Sequence, residues 1–190
     1  FPSRRLFGEE EKQAAIDLFD AAIRNGEAFG YNGEHEAGYA SAFCAFQGGG
    51  HADVVNSGTS AVYVALRALD LAPVTEVITP AISDPGGVMP VALLNCVPIP
   101  ADTAPGSYNV GPEQIAARIT ERTSAILVAH ISGHPCDLDG ILALAATHDL
   151  PVIEDCAQAH GATYKGRKVG TFGRIAAFST MLGKHQETGA

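Results

Sequence analysis

No Cys-x-x-Cys pair occurs among Cys44, Cys96, Cys136 and Cys156, which lie far apart, so neither a zinc knuckle nor a compact disulfide scaffold is indicated. Positive charge is scarce: 12 Lys and Arg face 21 Asp and Glu, for a formal net charge of −9. No local basic patch offsets that balance, which argues against phosphate-backbone or anionic-lipid docking. No apolar run approaches the roughly 20 residues that span a bilayer. The opening FPSRRLFGEEEKQ turns acidic after two arginines, where a secretory signal needs a long apolar stretch. No repeat, low-complexity tract or linker marks an internal boundary. These absences predict a soluble, cytoplasmic protein with no nucleic-acid and no membrane partner.

What is present is a chain of 190 residues, 46% hydrophobic, long enough to bury a substantial core as one domain. Apolar residues Ile16, Phe19 and Ile23 recur at helical spacing between Glu9 and Arg24, and a second helical stretch spans Glu36 to Gln47 before QGGGHAD breaks the pattern. Thereafter the chain alternates. Strands are expected at 53–56, 76–80, 96–100, 124–131, 151–155 and 174–180, with helices through SAVYVALRALDL, GVMPVALLN, GPEQIAARIT and DLDGILALAATHD. Short β-branched runs alternating with helices predict an α/β fold, a mostly parallel central sheet with helices on both faces. In such sheets the ligand crevice lies beyond the carboxyl ends of the strands.

Three strand ends carry candidate chemistry. In DVVNSGTSAVYVAL a strand is expected to run into Asn56-Ser57-Gly58-Thr59-Ser60 and on into a helix, whose free N–H groups form a phosphate cup. The alternative is that Ser57 or Thr59 merely caps the helix. In PVIEDCAQAHGA an apolar strand delivers Glu154 and Asp155, a carboxylate able to keep a heteroaromatic nitrogen protonated, with Gln158 and His160 close behind; an ordinary solvated turn has the same pattern. In AFSTMLGKHQETGA, Lys184 follows Ser179 by five residues, an amine and a phosphate-binding hydroxyl on one loop, against the reading of a surface lysine. Together they supply the anion site, ring-nitrogen partner and aldehyde-capturing amine that a pyridoxal phosphate site needs. His130 and His134 are four apart, but Gly133 and Pro135 between and beside them argue against a helical metal pair, and no metal site is expected.

The stretches NSGTSAVYVALRAL, EVITPAISD, RITERTSAILVAHISGHPCDLDGI and LPVIEDCAQAHGATYKGRKVGTFG, with the serine-to-lysine loop, resemble the DegT/DnrJ/StrS family of pyridoxal-phosphate-dependent sugar aminotransferases from about Asp53 onward. The resemblance implies an aspartate-aminotransferase-like large domain over residues 1–190, lacking the small C-terminal domain, and a homodimer with a shared site. It implies Lys184 as the Schiff-base lysine, Asp155 on the pyridine nitrogen and Gln158 near the 3-oxygen. Thr59, Ser60 and Ser179 are implied to hold the phosphate, with Gly58 allowing close approach. It further implies pyridoxal 5′-phosphate as cofactor, a small-molecule amino donor (glutamate or glutamine) and a keto-sugar or keto-cyclitol acceptor. Where many relatives carry a ring-stacking aromatic after TPA, this chain places Asp84. A dehydratase using pyridoxamine phosphate, in which histidine replaces the lysine, and a non-catalytic scaffold subunit or inactive fragment of the same fold are the rival readings. A Rossmann-type dinucleotide binder lacks its glycine turn, because QGGGHAD precedes the expected strand instead of following it.

Overall fold

The computed structural model describes residues 7–28, 30 and 33–186, so Arg4, Arg5 and the terminal ETGA lie outside it. Contacts divide the chain into two compact units that part between Val54 and Val55, a division the sequence reading did not mark.

The first unit carries α1 (Glu9–Asn25) and α2 (Glu34–Gln47), close to their expected bounds. Three glutamates at the start of α1 oppose the positive end of its dipole, and the Glu11 carboxylate accepts the Gly8 N–H at 2.7 Å. Gly26, at φ 67°, closes it in the left-handed conformation that glycine adopts without penalty.

The second unit holds five strands, β1 (Glu76–Pro80), β2 (Val97–Ala101), β3 (Thr123–Ala129), β4 (Val152–Asp155) and β7 (Ile175–Ala177), in the order β2-β1-β3-β4-β7, with every neighbouring pair parallel. Its helices are α3 (Gly58–Arg67), α4 (Pro85–Leu93), α5 (Pro112–Ala116) and α6 (Leu138–Thr147). Alternate strand residues face opposite ways. Val77, Leu127, Ile153 and Ala177 pack against Val62 and Leu66 of α3 and Val91 of α4, whereas Ile78, Ile126, Val128 and Val152 pack against Ile115 of α5 and Ile141 of α6. Both faces are therefore apolar, which is why the strands read as nearly unbroken hydrophobic runs. Crossovers between parallel strands are right-handed, so reversing the direction of travel across the sheet changes the face that the connecting helix covers. The reversal falls between β1 and β3, and the crevice opens beyond their carboxyl ends.

Four expectations are revised. Residues 53–56 form no strand: strand propensity acts only where a partner ladder exists, and here Asp53 Oδ1 takes the Val54 N–H locally at 2.9 Å. The helix expected through GPEQIAARIT stops at Ala116, because a turn built on the Thr120 N–H and Thr123 Oγ1 at 2.9 Å takes over. The strands expected at 124–131 and 174–180 end at Ala129 and Ala177. An unforeseen hairpin, β5 (Thr163–Tyr164) and β6 (Arg167–Lys168), turns on Lys165 and Gly166 at φ 50° and 81°, the positive pair a two-residue turn demands. Among the described residues no helix is long and apolar enough to cross a membrane.

Candidate functional site

The helix start at Gly58 is built by Ser57. Its Oγ accepts the Ser60 N–H at 3.1 Å and donates to Ser60 Oγ at 3.0 Å, so Ser57 and not Thr59 is the cap. Capping and anion binding are not exclusive here. The N–H groups of Gly58 and Thr59 have no partner among the described residues, and Ser60 keeps its own hydroxyl proton. Ser179, buried just past β7, accepts the Met181 N–H at 3.4 Å and likewise keeps a proton to donate. A Cβ placed on Gly58 would stand 2.7 Å from Ser179 Cβ, so glycine is what lets the two loops close around one spot. Thr59 Oγ1 packs against Gly86 at the start of α4. These residues, expected as a phosphate cup, are brought together.

Asp155 ends β4 and is only 8% exposed. Its Oδ1 accepts the Ala157 N–H at 3.0 Å, while Oδ2 has no partner among the described residues and points at the first turn of α4, 2.8 Å from where a Cβ on Gly87 would sit. Burial pushes the carboxyl above its ordinary value, and the negative charge of Asp84 adds to this. The Ala157 N–H, the positive charge of Lys184 and the nearby His130 ring oppose it. A carboxylate oxygen without a protein partner, on a residue 8% exposed, is the observation that fits a cationic heterocycle.

Lys184 follows a turn that its own N–H closes onto the Met181 carbonyl at 3.0 Å. Gly183 occupies the third position at φ 88°, which a type II turn requires. The half-buried amine has no partner among the described residues, and its charge is felt by both Asp155 and His160. Gln158 spends its Oε1 on the Ser132 N–H at 2.8 Å, holding a turn where Ser132 sits at φ 53°, and leaves its amide nitrogen to donate elsewhere. Asp84 is the cap of α4, accepting the Gly86 N–H at 2.8 Å. Residues past the β1 end thus supply a helix start at the place where the resemblance put Asp84 instead of an aromatic.

The network that sequence reasoning missed lies on the opposite face. Glu154, wholly buried, accepts N–H groups from Gly170 (2.7 Å), Phe172 (2.8 Å) and Gly173 (2.7 Å) and pairs with His130 Nε2 at 3.0 Å. His130 Nδ1 accepts the Cys136 N–H at 3.1 Å, which places the ring proton on Nε2, facing Glu154. Cys156 joins these two in a compact trio, but the histidine and glutamate atoms are already committed to hydrogen bonds. No spacing rule links 130 to 154; only the pairing of β3 with β4 does.

Comparison with known proteins gives this geometry a class. The DegT/DnrJ/EryC1/StrS aminotransferase family matches residues 9–189, and the chain belongs to that family. It is similar to the L-glutamine:2-deoxy-scyllo-inosose aminotransferase of Micromonospora echinospora, 38% identical over 175 residues covering 90% of this chain and 42% of that protein. It also resembles the 3-amino-5-hydroxybenzoate synthase of Amycolatopsis mediterranei, 32% identical over 189 residues, 100% of this chain and 48% of that one. The solved aminotransferase from Psychrobacter cryohalolentis superposes with a TM-score of 0.87 at 38% identity, covering 100% of this chain and 46% of its own. The chain spans less than half the length of these relatives.

Proposed function

We propose that the chain forms the cofactor-binding portion of a pyridoxal 5′-phosphate-dependent aminotransferase that moves an amino group from glutamate or glutamine to a keto sugar or keto-cyclitol. The observation that carries this is the unpartnered Oδ2 of buried Asp155 in the same crevice as the unpartnered Lys184 amine and the open start of α3. When bound, the cofactor supplies an electron sink for a substrate carbanion. The N–H groups of Gly58 and Thr59 and the hydroxyls of Thr59, Ser60 and Ser179 hold its phosphate at the positive end of α3. Asp155 keeps a proton on the ring nitrogen, and Gln158 donates to the 3-oxygen. Lys184 Nζ would be the amine that holds the cofactor's aldehyde end, and as a free amine it would be the group that moves the proton taken from the donor α-carbon. The presence of lysine at 184 favours transamination over the dehydratase reading. Four unpaired cysteines suit a reducing cytoplasm, and a homodimer belongs to the same proposal.

Addition of pyridoxal phosphate, borohydride reduction and peptide mapping test it: label is expected on Lys184 and absent in Lys184→Ala. Label scattered over Lys12, Lys165 and Lys168 would leave the scaffold or inactive-fragment reading in front. Gly58→Ala tests the cup independently. Its methyl displaces Ser179 and is expected to weaken binding about 10-fold or more, the loss of one hydrogen bond to a charged group, measured by titrating cofactor absorbance.

A further inference from the structure

Asn109 is buried and polar, and the mechanism above gives it no role. It stands in the loop between β2 and α5, where an isolated bridge pairs Thr103 with Val110 and the Ala104 N–H meets the Asn109 carbonyl at 2.8 Å. From that braced position its side chain reaches the short helical turn that follows β3, Ile131–Gly133. Oδ1 accepts the Ile131 N–H at 3.0 Å, and Nδ2 donates to the His134 carbonyl at 2.6 Å. One amide thus holds both ends of the turn. A reversed amide would set donor against donor and acceptor against acceptor, so the two bonds also fix which way it faces.

The turn needs holding. Ser132 at φ 53° and Gly133 at φ 79° are consecutive left-handed residues, a conformation that a residue with a side chain keeps only where its surroundings impose it. Between the clamped ends, the Ser132 N–H meets Gln158 Oε1 at 2.8 Å. That bond engages the oxygen of Gln158 and leaves its nitrogen without a partner among the described residues.

We infer that Asn109 is a positioning residue for Gln158: by clamping the 131–134 turn at both ends it keeps the Ser132 N–H in place as the donor that fixes Gln158 Oε1, and so keeps the Gln158 amide nitrogen free to donate. Each link in that chain is a hydrogen bond, from Asn109 to the turn and from the turn to Gln158.

The inference rests on Gln158 being the donor to the cofactor's 3-oxygen, and its first test does not use the cofactor. In the cofactor-free protein labelled with 15N-glutamine, the order parameter of the Gln158 side-chain amide is expected to fall in Asn109→Ala, toward the value below about 0.6 of a flexible group. Asn109→Asp keeps an acceptor for Ile131 but loses the donor to His134; it is expected to lower the order parameter too, and decides the question where the alanine variant does not fold. A Tm that falls while the Gln158 amide stays as ordered as in the parent marks Asn109 as structural only and overturns the inference. The second test follows the pH midpoint of the visible band of bound pyridoxal phosphate. A donor to the 3-oxygen favours its deprotonated form. Gln158→Ala is therefore expected to raise the midpoint by half to one pH unit, about 3–10-fold in the equilibrium and the value of one neutral hydrogen bond. Asn109→Ala is expected to raise it in the same direction, and to add nothing in the Gln158→Ala background. An equal shift in both backgrounds means that Asn109 acts by another route, which also overturns the inference. Failure of the unaltered protein to capture the cofactor would sink the proposed function instead, leaving the amide order to decide this one.

Discussion

Replacing Glu154 with alanine is expected to lower stability by about 3–5 kcal/mol, the toll of breaking a buried charged network by removing one partner, read as the shift in urea midpoint with unchanged slope. Three backbone N–H groups from the 170–173 loop and the His130 ring would lose their common acceptor at once, and no water-filled space is open to the wholly buried site. Glu154→Gln is not a rescue. Oε1 still serves Phe172 and Gly173, but the amide nitrogen in place of Oε2 would face two donors, the Gly170 N–H and His130 Nε2, whose tautomer Cys136 already fixes. Burial alone would push the Glu154 carboxyl up, yet His130 and the Gly173 and Gly170 N–H groups outweigh it and hold it below its ordinary 4.5. A folded-state value below the unfolded one means that this stabilisation is complete above about pH 4.5 and is lost as pH falls through the lower value. The gap between parent and Glu154→Gln is therefore expected to narrow in acid; a gap that stays constant from pH 7 to pH 3 would show that the carboxylate charge does not matter.

Much of the sheet was legible because its strands are buried on both faces: EVITP at 76–80 and PVIED near 152–155 are short apolar runs between turns, and such runs leave few alternatives. DVVN also carries a β-branched pair and failed, since composition reports what a strand would bury and not whether a neighbouring strand is there. The crevice residues were readable for a different reason. Asp155 ends β4 and Lys184 follows a turn beyond β7, and the parallel topology sends strand ends to one side, whereas Gly58 follows no strand and is set by the Ser57 cap. What could not be read was pairing across the sheet. His130 with Glu154, Gly58 with Ser179 and Gly87 with Asp155 are contacts between elements tens of residues apart, set by strand order and register. Asp84 shows the limit from the other side: its place after TPA was clear, but its work as a helix cap appears only once α4 starts at Pro85.

Asp155→Asn is expected to move stability and function in opposite directions. The carboxyl is held above its ordinary 3.8, chiefly by burial. A raised folded-state value gives a contribution that is present below the unfolded value and lost as pH rises through the folded one, so at neutral pH the ionised group burdens the cofactor-free protein. Asparagine keeps the Ala157 N–H bond and removes that burden. Its cofactor-free form should therefore melt a few degrees higher than the parent at pH 7 and no higher at pH 3, measured by calorimetry. The same change removes the anion that would hold a proton on the ring nitrogen. Pyridoxal phosphate affinity is expected to fall about 10–100-fold, the value of a hydrogen bond to a charged group, and turnover about 10²–10⁴-fold. Ligand linkage ties the two results: cofactor at a fixed concentration should raise the parent's Tm more than the variant's, because each is stabilised in proportion to the logarithm of one plus the ratio of free cofactor to its own Kd. If asparagine instead lowered the cofactor-free Tm at pH 7, Oδ2 would already have a protein partner and would not be the group that faces the ring nitrogen. A higher Tm with unchanged affinity would leave the burden real but assign the cofactor's ring nitrogen to another group.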